Sequence, residues 1–185
     1  MQSITSFYYY QELLMVDHIK SLVRDVPDFP QKGIVFKDIT PLLADPRGFN
    51  RSVDLLAEAL QDFPVDALVA IESRGFIFGS ALSLKTGLPM QIIRKAGKLP
   101  WTTVSREYEL EYGTDKIELH TDAIEPGRHY AVIDDLIATG GTAGATVDLI
   151  TAEQGVVSCC AFLIELMFLN GRDRINSPVV SLLQY

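Results

Sequence analysis

Thirteen residues, Tyr130-Ala-Val-Ile-Asp-Asp-Leu-Ile-Ala-Thr-Gly-Gly-Thr142, constrain this chain more than any other stretch. Ala131, Val132 and Ile133 form a short apolar run, as expected of a strand buried on both faces of a parallel sheet. Asp134 and Asp135 follow where that strand is expected to end, the edge at which open α/β sheets bind their ligands. Ala138, Thr139, Gly140, Gly141 and Thr142 then carry little side-chain bulk, so several backbone N–H groups can converge on one anion. Thr139 and Thr142 add hydroxyl donors. A helix beginning near Thr142 points its positive end at the same place. Such a strand, acid pair, small-residue loop and helix suit a sugar phosphate. No Lys follows the glycines as a Walker A loop requires, and no G-x-G-x-x-G opens a helix.

The chain is 185 residues long, enough for one well-buried domain over 1–185 and short for two. A net charge of −8 argues against a nucleic-acid binder, but not against a phosphate ligand held by local N–H groups and a few cations. No apolar run reaches membrane-span length, and residues 1–10 lack the basic and apolar regions of a secretory signal. A cytoplasmic protein with no membrane partner is the expectation. Cys159 and Cys160 are adjacent within the apolar run 156–163. Neighbours on a strand point to opposite faces, so these two are expected to be buried free thiols. His18, His120 and His129 have no metal-ligand spacing and receive no role.

Apolar residues at helical spacing (Leu14, Ile19, Leu22, Val23) predict an amphipathic helix over 11–25, broken by Pro27-Asp-Phe-Pro30. Residues 1–12 form an extension whose Tyr8-Tyr9-Tyr10 cluster reads as packing or an interface edge. A strand-like or irregular segment follows over 33–41. The pattern then predicts a helix over 46–61, a strand over 66–71, a helix over 76–85 and a strand over 90–93. Residues 95–113 show no convincing period, while 116–120 alternate like part of a hairpin. Strand 130–135, helix 142–154, strand 156–165 and an edge strand over 179–183 complete the chain. Strands alternating with helices predict an α/β fold with a mostly parallel sheet flanked by helices.

Two more constellations bear on chemistry. Glu72-Ser-Arg-Gly-Phe76 places a second small turn at a strand's carboxyl end. There Gly75 permits a tight turn and offers its N–H, and Arg74 can clamp pyrophosphate bidentately. Arg94, Lys95 and Lys98 form the densest positive cluster of an acidic chain, suited to pyrophosphate in this subunit or across a dimer interface, or to a solvated loop. The cluster leads into the aperiodic stretch, and a long loop in a compact domain is usually functional or disordered. A lid that excludes water fits this position.

Taken in order, Pro27-Asp-Phe-Pro-x-x-Gly-Ile-Val-Phe-Lys-Asp-Ile-Thr-Pro41, Glu72-Ser-Arg-Gly-Phe76, Ile93-Arg-Lys-x-Gly-Lys-Leu-Pro100, Leu110-Glu-Tyr-Gly113, Ile133-Asp-Asp-Leu-Ile-Ala-Thr-Gly-Gly-Thr142 and Ser181-Leu-Leu-Gln-Tyr185 resemble the adenine branch of the type I phosphoribosyltransferases. The similarity runs from about residue 12 to the last. It implies a type I phosphoribosyltransferase fold with a small N-terminal hood and a flexible lid loop over 95–113. The implied reaction converts adenine and 5-phosphoribosyl-1-pyrophosphate (PRPP) to AMP and pyrophosphate, with Mg²⁺ brought mainly by PRPP, in a homodimer. On this resemblance Asp134 and Asp135 hold the ribose hydroxyls and residues 138–142 cradle the 5′-phosphate. Arg74 with Ser73 and Gly75 meets the pyrophosphate, as do Arg94, Lys95 and Lys98. Val35, Phe36 and Lys37 face adenine. Glu111 handles the purine proton as N9 attacks, and Tyr112 helps close the site.

This chain departs from the family pattern twice. Lys37 stands where many members have Arg, which removes a planar bidentate donor. Trp101 follows Lys-Leu-Pro where Gly is usual, which stiffens or re-aims the start of the lid. The competing readings are a transferase of guanine, hypoxanthine or xanthine, and a PRPP- or purine-sensing module without turnover.

Overall fold

The computed structural model describes residues 16–109 and 113–185. Leu14, the three consecutive tyrosines, Glu111 and Tyr112 lie outside the described residues. The chain divides into two compact units, up to Leu55 and from Leu56 onward.

In the first unit helix α1 is described over 16–21 and buries Ile19 completely. The amphipathic pattern extended this helix to residue 25, but it stops sooner. Arg24–Pro27 is instead strand β1, paired antiparallel with β2 (Val35–Asp38). Pairing supplies a reason that local periodicity cannot register. The ladder joins Arg24 to Asp38 and Asp25 to Lys37, and the same residues form ion pairs of 3.7 Å (Arg24–Asp38) and 2.6 Å (Lys37–Asp25). The connecting loop is closed by Asp28 Oδ1, which accepts from the Gly33 N–H at 2.7 Å. Short helix α2 (Thr40–Ala44) follows, with Pro41 in its first turn, where a missing N–H costs nothing. Helix α3 (Pro46–Leu60) runs across the division after Leu55, with Val53, Leu56, Ala57 and Leu60 buried at the i, i+3, i+4, i+7 spacing of one helical face.

The second unit is built on a seven-stranded sheet in the order β5-β6-β4-β3-β7-β8-β9. Its strands are β3 (Ala67–Ile71), β4 (Met90–Lys95), β5 (Thr103–Glu109), β6 (Thr114–His120), β7 (His129–Ile137), β8 (Val156–Glu165) and β9 (Val179–Gln184). The five from β4 to β9 pair parallel, and the β5–β6 hairpin joins antiparallel through β4. Every residue of β3 is buried, which is why it reads as a continuous apolar run rather than an alternating one. Helices α4 (Gly75–Thr86) and α5 (Gly141–Ala152) follow β3 and β7. Among the described residues no helix is long and apolar enough to cross a membrane.

The stretch without visible period, 95–113, contains β5, whose seven residues pair with β6 from Thr103↔His120 to Glu109↔Thr114. Alternation is hidden because Arg106 stands between Val104 and Tyr108, which pack against the core. Arg106 reaches Asp148 of α5 at 2.9 Å.

Cys159 and Cys160 pair with Ala131 and Val132 in the middle of the sheet and are both free and fully buried. Burial pushes the Cys159 thiol up to about 12, and raises Cys160 as well. A thiol reagent at pH 8 should therefore modify neither residue in the native protein and both in urea. Rapid native labelling would contradict the burial.

Candidate active site

The parallel register brings three strand ends together. Ala70 lies opposite Ile133, Ile71 opposite Ile93, and the Glu72 N–H donates to the Ile93 carbonyl at 2.9 Å. Beyond these points β3 turns into α4 through Ser73 and Arg74, the Glu72–Ser73 peptide being cis. Strand β7 continues past Asp134 and Asp135 to Ile137 before the loop into α5. Gly75 and Asp134 touch at this level. A Cβ on Gly75 would fall 2.8 Å from both Asp134 Oδ1 and the Ile133 carbonyl, so only glycine lets the turn lie on the strand.

The loop from Ala138 to Thr142 closes a cavity of about 110 Å³ lined also by Asp134. Gly140 caps α5 in the left-handed region, at φ +76°, and no side chain caps the helix. The first N–H groups of an α-helix have no partner within the helix. Here they border the cavity, so backbone dipole and unpaired donors favour an anion there. All five loop residues expected to hold the phosphate thus line one cup.

A neighbouring cavity of about 230 Å³ is lined by Glu72, Arg94, Lys95, Tyr108, Asp115, Asp134 and Thr142, with Ile71, Ile93 and Ile117 beneath. Asp134 and Thr142 line both cavities. The expected cations are here, but each is already engaged. Glu72 takes Lys98 Nζ at 2.5 Å on Oε1, and the Lys95 N–H at 3.0 Å and Arg94 Nε at 3.3 Å on Oε2. Burial pushes the Glu72 carboxyl up, yet these donors outweigh it and hold the group below its ordinary range. Lys95 Nζ lies 3.0 Å from Asp115 Oδ2, which lowers Asp115 and raises Lys95.

Arg74 reaches inward, with Nε 3.0 Å from Asp135 Oδ2. Asp135 is buried, and this oxygen makes no hydrogen bond, so the guanidinium is its charge partner. Ser73 is exposed on the turn. The expected adenine-facing residues lie on β2 of the first unit. There Val35 is exposed, Phe36 meets Phe29 edge-on at 5.2 Å, and Lys37 is buried with its ammonium on Asp25.

Several residues at the site carry no local sequence signal. Tyr108 lies opposite Asp115 in the hairpin and accepts a hydrogen bond from the Thr142 hydroxyl at 3.1 Å. Glu72 belongs to a recognised motif, but its role as the acceptor for three donors depends on β4 lying alongside. Gly171 is marked only by the Asn170-Gly turn signal. Yet its carbonyl would be 2.0 Å from a Cβ on Gly140.

Burial and the adjacent Asp135 charge push the Asp134 carboxyl well above its ordinary value. Asp135 is raised too, by burial, with Arg74 working in the opposite direction. The folded protein therefore keeps a proton at this pair that the unfolded chain has already released. Its stability falls as pH rises from the ordinary carboxylate value through the raised one. Asp134→Asn should raise the urea midpoint of the ligand-free protein at pH 8, with a smaller gain near pH 4. An equal or absent gain at pH 8 would contradict the burial cost.

Residues 39–175 match the family model described as phosphoribosyl transferase domain. The chain is 48% identical over 171 residues to the adenine phosphoribosyltransferase of Geotalea uraniireducens, covering 92% of this chain and 100% of that one. The crystal structure of adenine phosphoribosyltransferase from Rhodothermus marinus superposes with a TM-score of 0.89 at 47% identity, covering 94% of this chain and 99% of that one. The Saccharomyces cerevisiae adenine phosphoribosyltransferase, complexed with an imino-altritol bisphosphate and adenine, gives 0.86 at 37% identity, covering 92% and 99%. Sequence and fold agree: this chain belongs to the adenine phosphoribosyltransferases.

Proposed function

We infer that the protein transfers the 5-phosphoribosyl group of PRPP to adenine, giving AMP and pyrophosphate. The observation that carries the reading is the uncapped start of α5, with residues 138–142 forming an anion cup that shares Asp134 and Thr142 with a cation-bordered cavity. A sugar with a phosphate at one end and a pyrophosphate at the other matches that pair of cavities.

In the reaction the bond from C1′ to the pyrophosphate oxygen breaks, and one from C1′ to adenine N9 forms as N9 loses its proton. Residues 138–142 hold the 5′-phosphate through backbone N–H groups and the Thr139 and Thr142 hydroxyls. Asp134 and Asp135 take the ribose hydroxyls and favour the cationic sugar by charge. Arg74, Arg94, Lys95 and Lys98, with the peptides of Ser73 and Gly75, receive the pyrophosphate by exchanging their present carboxylate partners for it. Val35 and Phe36 read adenine, with Lys37 beside them on β2. Glu111 accepts the N9 proton and Tyr112 closes the site, both roles resting on the family pattern.

Mg²⁺ bound to PRPP would neutralise charge on the leaving pyrophosphate. Among the described residues no group of three or more His, Cys, Asp or Glu side chains could hold a metal. The metal would be held mainly through PRPP itself. A homodimer and a cytoplasmic location belong to the same proposal and rest on the family resemblance.

Pyrophosphate release should be measured from PRPP and Mg²⁺ with adenine, guanine, hypoxanthine or xanthine supplied separately. Release with adenine alone is expected. Glu111→Ala should lower kcat by about a hundredfold or more, the usual weight of a positioned general base. Release with another base would overturn the roles of Val35 and Phe36. PRPP binding without release would overturn turnover itself.

A further inference from the structure

The 5′-phosphate loop does not stand alone against the sheet. Two backbone approaches of the loop and one of α5 are too close for any side chain, and all three are to residues 171–174. A Cβ on Gly140 would fall 2.0 Å from the Gly171 carbonyl oxygen. One on Gly171 would fall 2.1 Å from the Ala138 carbonyl oxygen, and one on Gly144 2.7 Å from that of Arg174. Residues 171–174 thus form a backbone wall behind both the loop and the first turn of α5. They are a single short 3₁₀ turn, entered through left-handed Asn170 at φ +50°. So short a turn fixes nothing by its own hydrogen bonds.

Its anchor is Arg172. The guanidinium donates through Nε to Glu165 Oε1 at 2.7 Å and through Nη2 to Oε2 at 2.5 Å, a bidentate fork. Ser181 of β9 donates to the same Oε2 at 2.6 Å. Glu165 is 2% exposed at the end of β8, where it pairs with Ile137 of β7 and Gln184 of β9. The hydrogen bonds from Arg172 hold its carboxyl below the ordinary range, outweighing burial, with Ser181 adding to the effect. A buried carboxylate on the sheet therefore grips the side chain next to Gly171.

We propose that Arg172, gripped by Glu165 and Ser181, is a positioning residue that holds the 138–142 loop in its phosphate-binding form. The proposal rests on reading that loop as the 5′-phosphate cradle. Arg172 lines neither of the two cavities assigned to PRPP. It acts through Gly171 on Gly140 and so on the aim of the N–H groups at the start of α5. Lys at this position would keep the charge and lose the fork, leaving the wall free to pivot.

The two ends of PRPP can be probed separately on the full-length protein, with ribose 5-phosphate and inorganic pyrophosphate as inhibitors of the forward reaction. Arg172→Ala and Glu165→Gln should raise the inhibition constant of ribose 5-phosphate on the order of tenfold, the weight of a lost charge-assisted hydrogen bond. The pyrophosphate constant should change less than about twofold, as should the KM for adenine. Arg172→Lys should fall between wild type and Arg172→Ala.

A merely structural role would lower the amount of folded enzyme and leave both inhibition constants alone, or shift them equally; either result would overturn the proposal. Ser181→Ala removes one hydrogen bond of three and keeps the test decisive if the stronger variants do not fold. It should weaken ribose 5-phosphate by a smaller factor, and no selective change there would also overturn it. Absence of turnover in the wild type with PRPP and adenine would count against the assigned reaction. Equilibrium binding of ribose 5-phosphate would then test the clamp alone.

Discussion

Everything at the site depends on the parallel pairing of β3 with β7. Because Ala70 lies opposite Ile133, β3 turns into α4 beside Asp134 of β7, while β7 runs on to Ile137 before its own loop into α5. Two helix starts, neither capped by a side chain, thus follow these two paired strands. The pairing requires glycine at 75, since the turn of one strand lies on Asp134 of the other. A shift of one residue would turn every side chain of β7 to the opposite face and carry Asp134 away from the cup. The buried apolar runs of β3, β7 and β8 supply the hydrophobic energy that fixes this register. Catalytic geometry is thus a by-product of core packing.

The charges follow a second constraint. In a chain of net charge −8, the four cations expected at the site are all held by carboxylates: Arg94 and Lys98 by Glu72, Lys95 by Asp115, and Arg74 by Asp135. Pairing keeps them ordered and aimed at one region, at the cost of competition with any ligand. Asp134 and Asp135 show the converse. Burial raises both, so the ligand-free protein carries a destabilised acid pair beside the 138–142 cup. Stability is sacrificed locally for function.

Much of this was legible in the residues. The apolar runs located β3, β4, β7, β8 and β9, and the Asp-Asp and Thr-Gly-Gly-Thr stretch located the cup, because these signals are local and depend on burial or backbone freedom. The end of α1 was not legible, since β1 exists only through its pairing with β2. Nor was β5, where Arg106 interrupts the apolar alternation because its partner, Asp148, is on a helix far along the chain. The wall formed by residues 171–174 escaped for the same reason. Gly140 reads as a low-bulk residue that lets backbone N–H groups converge on an anion, whereas its lack of a side chain also admits the Gly171 carbonyl. Long-range contacts of this kind leave only a glycine in the sequence, and a glycine has several explanations.

The central claim is that the backbone N–H groups at the start of α5 bind the phosphate. The most direct test is an amide chemical-shift titration of the isotopically labelled protein with ribose 5-phosphate. The predicted result is saturable shifts concentrated at Thr139, Gly140, Gly141, Thr142 and Ala143, with Arg94, Lys95 and Lys98 little changed. Saturable binding that shifts the basic cluster and leaves the 139–143 amides in place would contradict the account.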